Sequence, residues 1–170
     1  MAVEMENDMK YAYINGKILS GDKDMQVKQG LVIVTEGEKI TDIVKEVPKS
    51  PDMKVVDLEG RYIMPGLINM HVHLAGNGKP QKKQRDNEKL VKTLMGTALS
   101  RAVAYKVVSD FARTELLSGV TTIRTVGGLG DFDTRLRDEI AAGKRVGPRI
   151  LAANEGTCGR LQGGGTCGIT

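Results

Sequence analysis

Between residues 10 and 58 the apolar positions fall in short alternating runs separated by turn residues. Residues 11–14 lead into Asn15-Gly16, a pair that tolerates positive φ and predicts a hairpin, with residues 17–19 returning. Residues 30–35 turn at Glu36-Gly37-Glu38 into residues 39–44, a second hairpin. A loop bounded by Pro48 and Pro51 follows, then a short strand at 55–58. The pattern predicts a small antiparallel β unit over residues 10–60, preceded by a polar, frayed stretch at 1–9.

From residue 61 the period changes. An apolar run opened by Pro65-Gly66 ends in His71-x-His73. Apolar residues at successive positions predict a strand covered on both faces, as in a parallel sheet or barrel. Strict alternation would send His71 and His73 to one side with Leu67 and Asn69, and Ile68, Met70 and Val72 to the other. Val91, Met95, Ala98, Ala102, Tyr105, Val108, Ala112 and Leu116 then recur at three- and four-residue steps. They predict a helix over 88–117 of about eight turns, with Asn87 as its cap, a break near Gly96 and Gly119 at its C-terminus. Residues 120–126 are rich in β-branched side chains and predict a second buried strand. Asp131 or Asp133 can cap a helix over 134–142 that Gly143 ends, and residues 148–153 read as a third strand. Strand, helix, strand, helix, strand predicts a parallel sheet with right-handed crossovers.

Composition narrows the chemistry. The chain has 170 residues, 40% hydrophobic and 27% charged, an ordinary globular balance with room for one or two small domains. The net charge of +4 is modest. Its densest part, Lys79, Lys82, Lys83, Arg85, Lys89 and Lys92, reads as a solvated loop and helix start. It lacks the interleaved aromatics of a nucleic-acid surface, so no nucleic-acid partner is expected. No run reaches the roughly 18 apolar residues of a membrane span. The first ten residues have no cationic start and no apolar core of a signal peptide, so no membrane partner and a cytoplasmic location are expected. Cys158 and Cys167 are too far apart for a zinc ribbon and make no disulfide framework. The glycines at 127, 128 and 130 are not followed by the Lys-Ser/Thr of a phosphate loop. The chain has 2 histidines, His71 and His73. Two imidazoles two residues apart at a strand end can converge on one divalent ion.

The stretch GRYIMPGLINMHVHL resembles the first barrel strand of the amidohydrolase superfamily, whose pattern is an apolar strand, Pro-Gly and Ile-Asp/Asn-x-His-x-His. Residues 117–128, LSGVTTIRTVGG, resemble its second strand. The imidazolonepropionase and prolidase-like dipeptidase branch is most similar, and the resemblance runs from about Tyr11 to about Asn154. It implies an α/β fold: a partial (β/α) TIM-type barrel of about the first three strands over 61–155. The β unit before it would belong to a sandwich that later strands complete. About 110 residues follow Gly60, whereas an eight-stranded barrel takes about 250.

The resemblance further implies one or two divalent ions, zinc foremost, with His71 and His73 as two ligands of the first. In the family a metal-activated hydroxide attacks an amide, ester or ring C–N carbon, and an aspartate of the last strand is the general base. That aspartate, a carboxylated lysine or glutamate and two further histidines have no counterpart here, so no catalytic residue is identifiable. The expected function is therefore the N-terminal portion of a metal-dependent amidohydrolase acting on a small-molecule amide or dipeptide-like substrate, with this chain alone inactive. The alternative is a truncated, non-catalytic fragment or binding module. A homo-oligomer or a missing C-terminal part would cover the open sheet. Two departures stand out. Thr125 replaces an aspartate common in relatives. In the Gly-rich tail at 156–170, Gly165 follows Gly163-Gly164 where the family has histidine, so the tail reads as foreign to the family pattern.

Overall fold

The computed structural model describes residues 9–76 and 87–154, with side chains from residue 89 onward in the second stretch. The readings made of residues 1–8, of the basic stretch at 79–86 and of the Gly-rich tail with its two cysteines lie outside the described residues. The chain divides into two compact units, Met1–Pro65 and Gly66–Thr170.

In the first unit, β1 (Lys10–Ile14), β4 (Val32–Glu36), β5 (Lys39–Val44) and β6 (Met53–Asp57) form a sheet in the order β5-β4-β1-β6. The strands β2 (Lys17–Leu19), β3 (Val27–Lys28) and β7 (Tyr62–Ile63) form another, in the order β3-β2-β7. The expected hairpin at residues 36–39 is present, with Glu36 opposite Lys39 and Gly37 at φ 56°. The hairpin expected at Asn15-Gly16 is not. β1 and β2 lie in different sheets, and the pair is a corner between them. Residues 53–63 run parallel to β1 and β2 and turn the same corner. Asn15 (φ 56°) bonds Asp57 Oδ2 through its side chain at 2.9 Å, and Gly60 N–H donates to Asn15 O at 2.8 Å. The positive φ that a tight hairpin needs serves equally for this crossing. With β1·β6 and β2·β7 parallel, the unit is mixed rather than antiparallel.

The second unit carries a three-stranded parallel sheet in the order β10-β9-β8, made of β8 (Leu67–Val72), β9 (Val120–Thr125) and β10 (Arg149–Leu151). The long helix is divided as its glycine suggested. α1 (Asn87–Met95) ends at Gly96, and α2 (Ala98–Leu117) starts afresh from Thr97. Thr97 Oγ1 accepts the Ser100 N–H at 3.1 Å and Ser100 Oγ accepts the Thr97 N–H at 3.2 Å, a reciprocal cap that satisfies two orphan donors. Gly119 (φ 94°) follows the C-cap residue Ser118, as a left-handed terminator does.

Helix α3 (Phe132–Ala141) has Asp131 as its N-cap residue without a side-chain cap bond, and Asp133 is buried in its first turn. Val72, Leu74, Ile123 and Ile150 from the strand segments pack with Ala104, Tyr105, Val108 and Ala112 of α2 and Phe132 and Leu136 of α3. The helices thus cover one face of the sheet. The expectation that β8 is covered on both faces does not hold: Ile68 is 63% exposed and Met70 53%. β8 is an outer strand, and only its last residue enters the buried cluster. Among the described residues no helix is long and apolar enough to cross a membrane.

Candidate metal centre

Parallel pairing of β8 and β9 brings their C-terminal ends together. Val126 N–H extends it by donating to Val72 O at 3.1 Å. His71 is the penultimate residue of β8, and His73 lies one residue beyond it. Both imidazoles are exposed, their ring centres are 5.3 Å apart, and their planes are inclined at 68°.

The strand does not alternate strictly on its way there. Asn69 stands opposite Ile123 and Val72 opposite Thr125, so Met70 and His71 together face the single residue Arg124. Such a bulge is rare in parallel pairing and re-aims the side chains around it. Ile123 and Thr125 are fully buried, so register places Asn69 and Val72 on the helix-covered face. The expected grouping of Asn69 with His71 is therefore broken by the bulge. The Asn69 side-chain oxygen instead accepts the His71 N–H at 3.2 Å.

The loop after β9 supplies the wall beside His73. A Cβ on Gly127 (φ 154°) would lie 3.4 Å from both Cε1 and Nδ1 of His73. The next residue is tied to the end of the third strand, with Gly128 N–H donating to Asn154 O at 2.8 Å. Asn154 Oδ1 also accepts the Thr134 N–H at 3.0 Å, satisfying an orphan donor at the start of α3. Thr125 Oγ1 accepts the Ala153 N–H at 3.0 Å and closes the gap between β9 and the residues after β10. The threonine that departs from the family pattern is thus a buried tie between strands.

Two imidazoles that share a tetrahedral ion at about 2.0–2.1 Å hold their ring centres about 5 Å apart. The observed separation fits that requirement, and imidazole is a donor suited to zinc. Among the described residues no group of three or more His, Cys, Asp or Glu side chains is placed to hold a metal ion. Among those residues the two imidazoles stand as a pair. Asn69, Gly127 and Asn154 were not singled out as site residues by sequence reasoning. Asn69 carried the clearest signal, an Asn two residues before a strand-end His, where an Asx side chain can take the i+2 N–H.

Comparison with known proteins bears on the same residues. The model of the Amidohydrolase family matches residues 62–158. A dihydroorotase of Wolbachia sp. subsp. Brugia malayi is 34% identical over 83 residues, covering 46% of this chain and 18% of the relative. A 5'-deoxyadenosine deaminase of Methanosarcina mazei is 40% identical over 62 residues, covering 36% of this chain and 14% of the relative. The crystal structure of a Xaa-Pro dipeptidase with bound methionine in the active site superposes with a TM-score of 0.65 at 32% identity. That match covers 86% of this chain and 33% of the dipeptidase. The chain thus spans no more than a third of the length of these relatives.

Proposed function

The chain belongs to the amidohydrolase family, and on that premise we propose that it is the N-terminal part of a metal-dependent hydrolase of C–N bonds. Its second unit supplies about the first three strands of a TIM-type barrel, and His71 and His73 are two ligands of a divalent ion, zinc foremost. The observation that carries this reading is the pair of exposed imidazoles, 5.3 Å apart, at the C-terminal end of a strand in a parallel sheet. That is the end of a barrel at which active sites lie.

A divalent ion bound there supplies Lewis acidity for the attack of water on an amide carbon. The chain's own residues do the holding. The bulge aims His71, the backbone at Gly127 lies against the ring of His73, and Asn154 and Thr125 anchor the loop ends behind them. The substrate class is a small amide, of the dipeptide or cyclic-amide kind. Among the described residues no third His, Cys, Asp or Glu is grouped with the pair, and on this reading the polypeptide alone binds metal without turning over substrate.

Titrating zinc into the wild type and a His71→Ala/His73→Ala variant tests the ligand assignment, with a binding step expected in the first and missing from the second. Equal binding by both proteins would overturn it. Assaying the zinc-loaded chain against dipeptides and lactams should give no turnover. Hydrolysis abolished by His71→Ala would contradict the view that the chain alone is inactive.

A further inference from the structure

We infer that Asn69 is a positioning residue for His71, an inference that rests on the metal reading above. The argument starts from the register. Between Asn69 and Val72 the outer strand β8 spends three steps against two on β9. An extra residue in a parallel ladder disturbs its regular bonding, so some other group must fix the strand locally. Asn69 does this. Its half-buried side chain folds back along its own strand, and Oδ1 accepts the His71 N–H at 3.2 Å. An N–H donor requires the oxygen rather than the amide nitrogen on that side, which also fixes the orientation of the Asn69 amide.

The consequence is geometric. The N–H that Asn69 holds belongs to the residue whose side chain carries the imidazole. Fixing that peptide restricts the direction of the His71 Cα–Cβ bond and so its spacing from His73. Without the acceptor, Met70 and His71 are free to redistribute against Arg124, and the two rings lose their fixed separation. A ligand supported this way is set before the ion arrives. Removing such outer support from a metal ligand typically weakens binding by 10- to 100-fold.

The test uses the full chain and zinc alone, measured by competition with a chromophoric chelator. The proteins are the wild type, Asn69→Ala, Asn69→Asp and His71→Ala, with helix content checked by circular dichroism. The His71 amide is followed by NMR in the metal-free state. Asn69→Ala should bind zinc at least about 10-fold more weakly than the wild type and shift the His71 amide resonance. Asn69→Asp retains an acceptor at the same place and should bind within a few-fold of the wild type or tighter. A fifth protein, Asn69→Leu, fills a similar volume without an acceptor and should bind as weakly as Asn69→Ala, whereas a general packing role would let leucine restore binding. Wild-type affinity in Asn69→Ala alongside weakened binding in His71→Ala would overturn this inference and leave the metal reading intact. Asn69→Asp binding as poorly as Asn69→Ala would also overturn it. Undiminished binding in His71→Ala would remove the metal reading, and this inference with it.

Discussion

Replacing Gly66 by alanine would drive a methyl group into Thr121. An ideal Cβ at Gly66 lies 2.0 Å from Thr121 Oγ1, 2.2 Å from Cγ2 and 2.6 Å from Cβ, distances that no rotamer change relieves entirely. The contact falls where β8 meets β9, beside the bond from Leu67 N–H to Gly119 O at 2.9 Å. Overpacking of this kind costs about 1–3 kcal/mol, and a loosened backbone hydrogen bond adds about 0.5–1.5 kcal/mol. The expected loss is therefore about 2–4 kcal/mol, a large share of the 5–15 kcal/mol typical of a whole domain. The variant Thr121→Gly removes all three offending atoms at a cost of about 1 kcal/mol in strand preference. The double variant should then be more stable than the sum of the two single losses predicts, by about 1–2 kcal/mol. Urea unfolding followed by helical circular dichroism is the assay, because all the described helices belong to the second unit. A Gly66→Ala protein within 0.5 kcal/mol of the wild type, or strictly additive losses, would refute the close approach of these strands.

Three further predictions follow from particular contacts. Asp133 is buried and neither of its carboxylate oxygens has a hydrogen-bond partner among the described residues, so Asp133→Leu should leave stability unchanged or raise it by about 1–3 kcal/mol. A drop in the urea midpoint instead would reveal a donor that holds this carboxylate. Glu139 is held down to about 2 from an ordinary value of 4.5, chiefly by its hydrogen bond from Arg145 and also by the one from Arg135. A depressed carboxylate contributes its stability above pH 4.5 and loses it as pH falls toward 2. The wild type should therefore lose its advantage over Glu139→Gln on acidification across that window, and parallel pH profiles of the two proteins would count against the pairing. Finally, Gly127→Ala should strain a backbone at φ 154° in the loop that lies against the His73 ring, weakening zinc binding by at least several-fold. Unaltered affinity would show that the backbone at Gly127 does not set the position of His73.

The parts of this fold that could be read from sequence are those set by neighbours a few residues away. The 36–39 hairpin, the helix break at Gly96, the terminator at Gly119 and the apolar strand carrying the histidines all follow from local chemistry. What could not be read depends on distant partners. Asn15-Gly16 has the composition of a hairpin, but its turn is set by Asp57 and Gly60, more than 40 residues later. The two-residue strands β3 and β7 exist through pairing with β2, not through any periodicity of their own. At the site, the residue types of His71 and His73 pointed to metal, whereas the bulge between Asn69 and Val72 is a property of the β8·β9 register and leaves no mark in the alternation. The exposure of Ile68 and Met70 has the same origin, since a buried-looking run says nothing of how many strands or helices lie beside it.

X-ray absorption spectroscopy of the chain loaded with one equivalent of zinc tests the central claim most directly, because it reads the donor atoms themselves. The account predicts a first shell of nitrogen and oxygen at about 2.0–2.1 Å, with the outer-shell scattering of two imidazoles, which disappears in His71→Ala/His73→Ala. A shell dominated by sulfur at about 2.3 Å, or a spectrum unchanged by that double substitution, would contradict it.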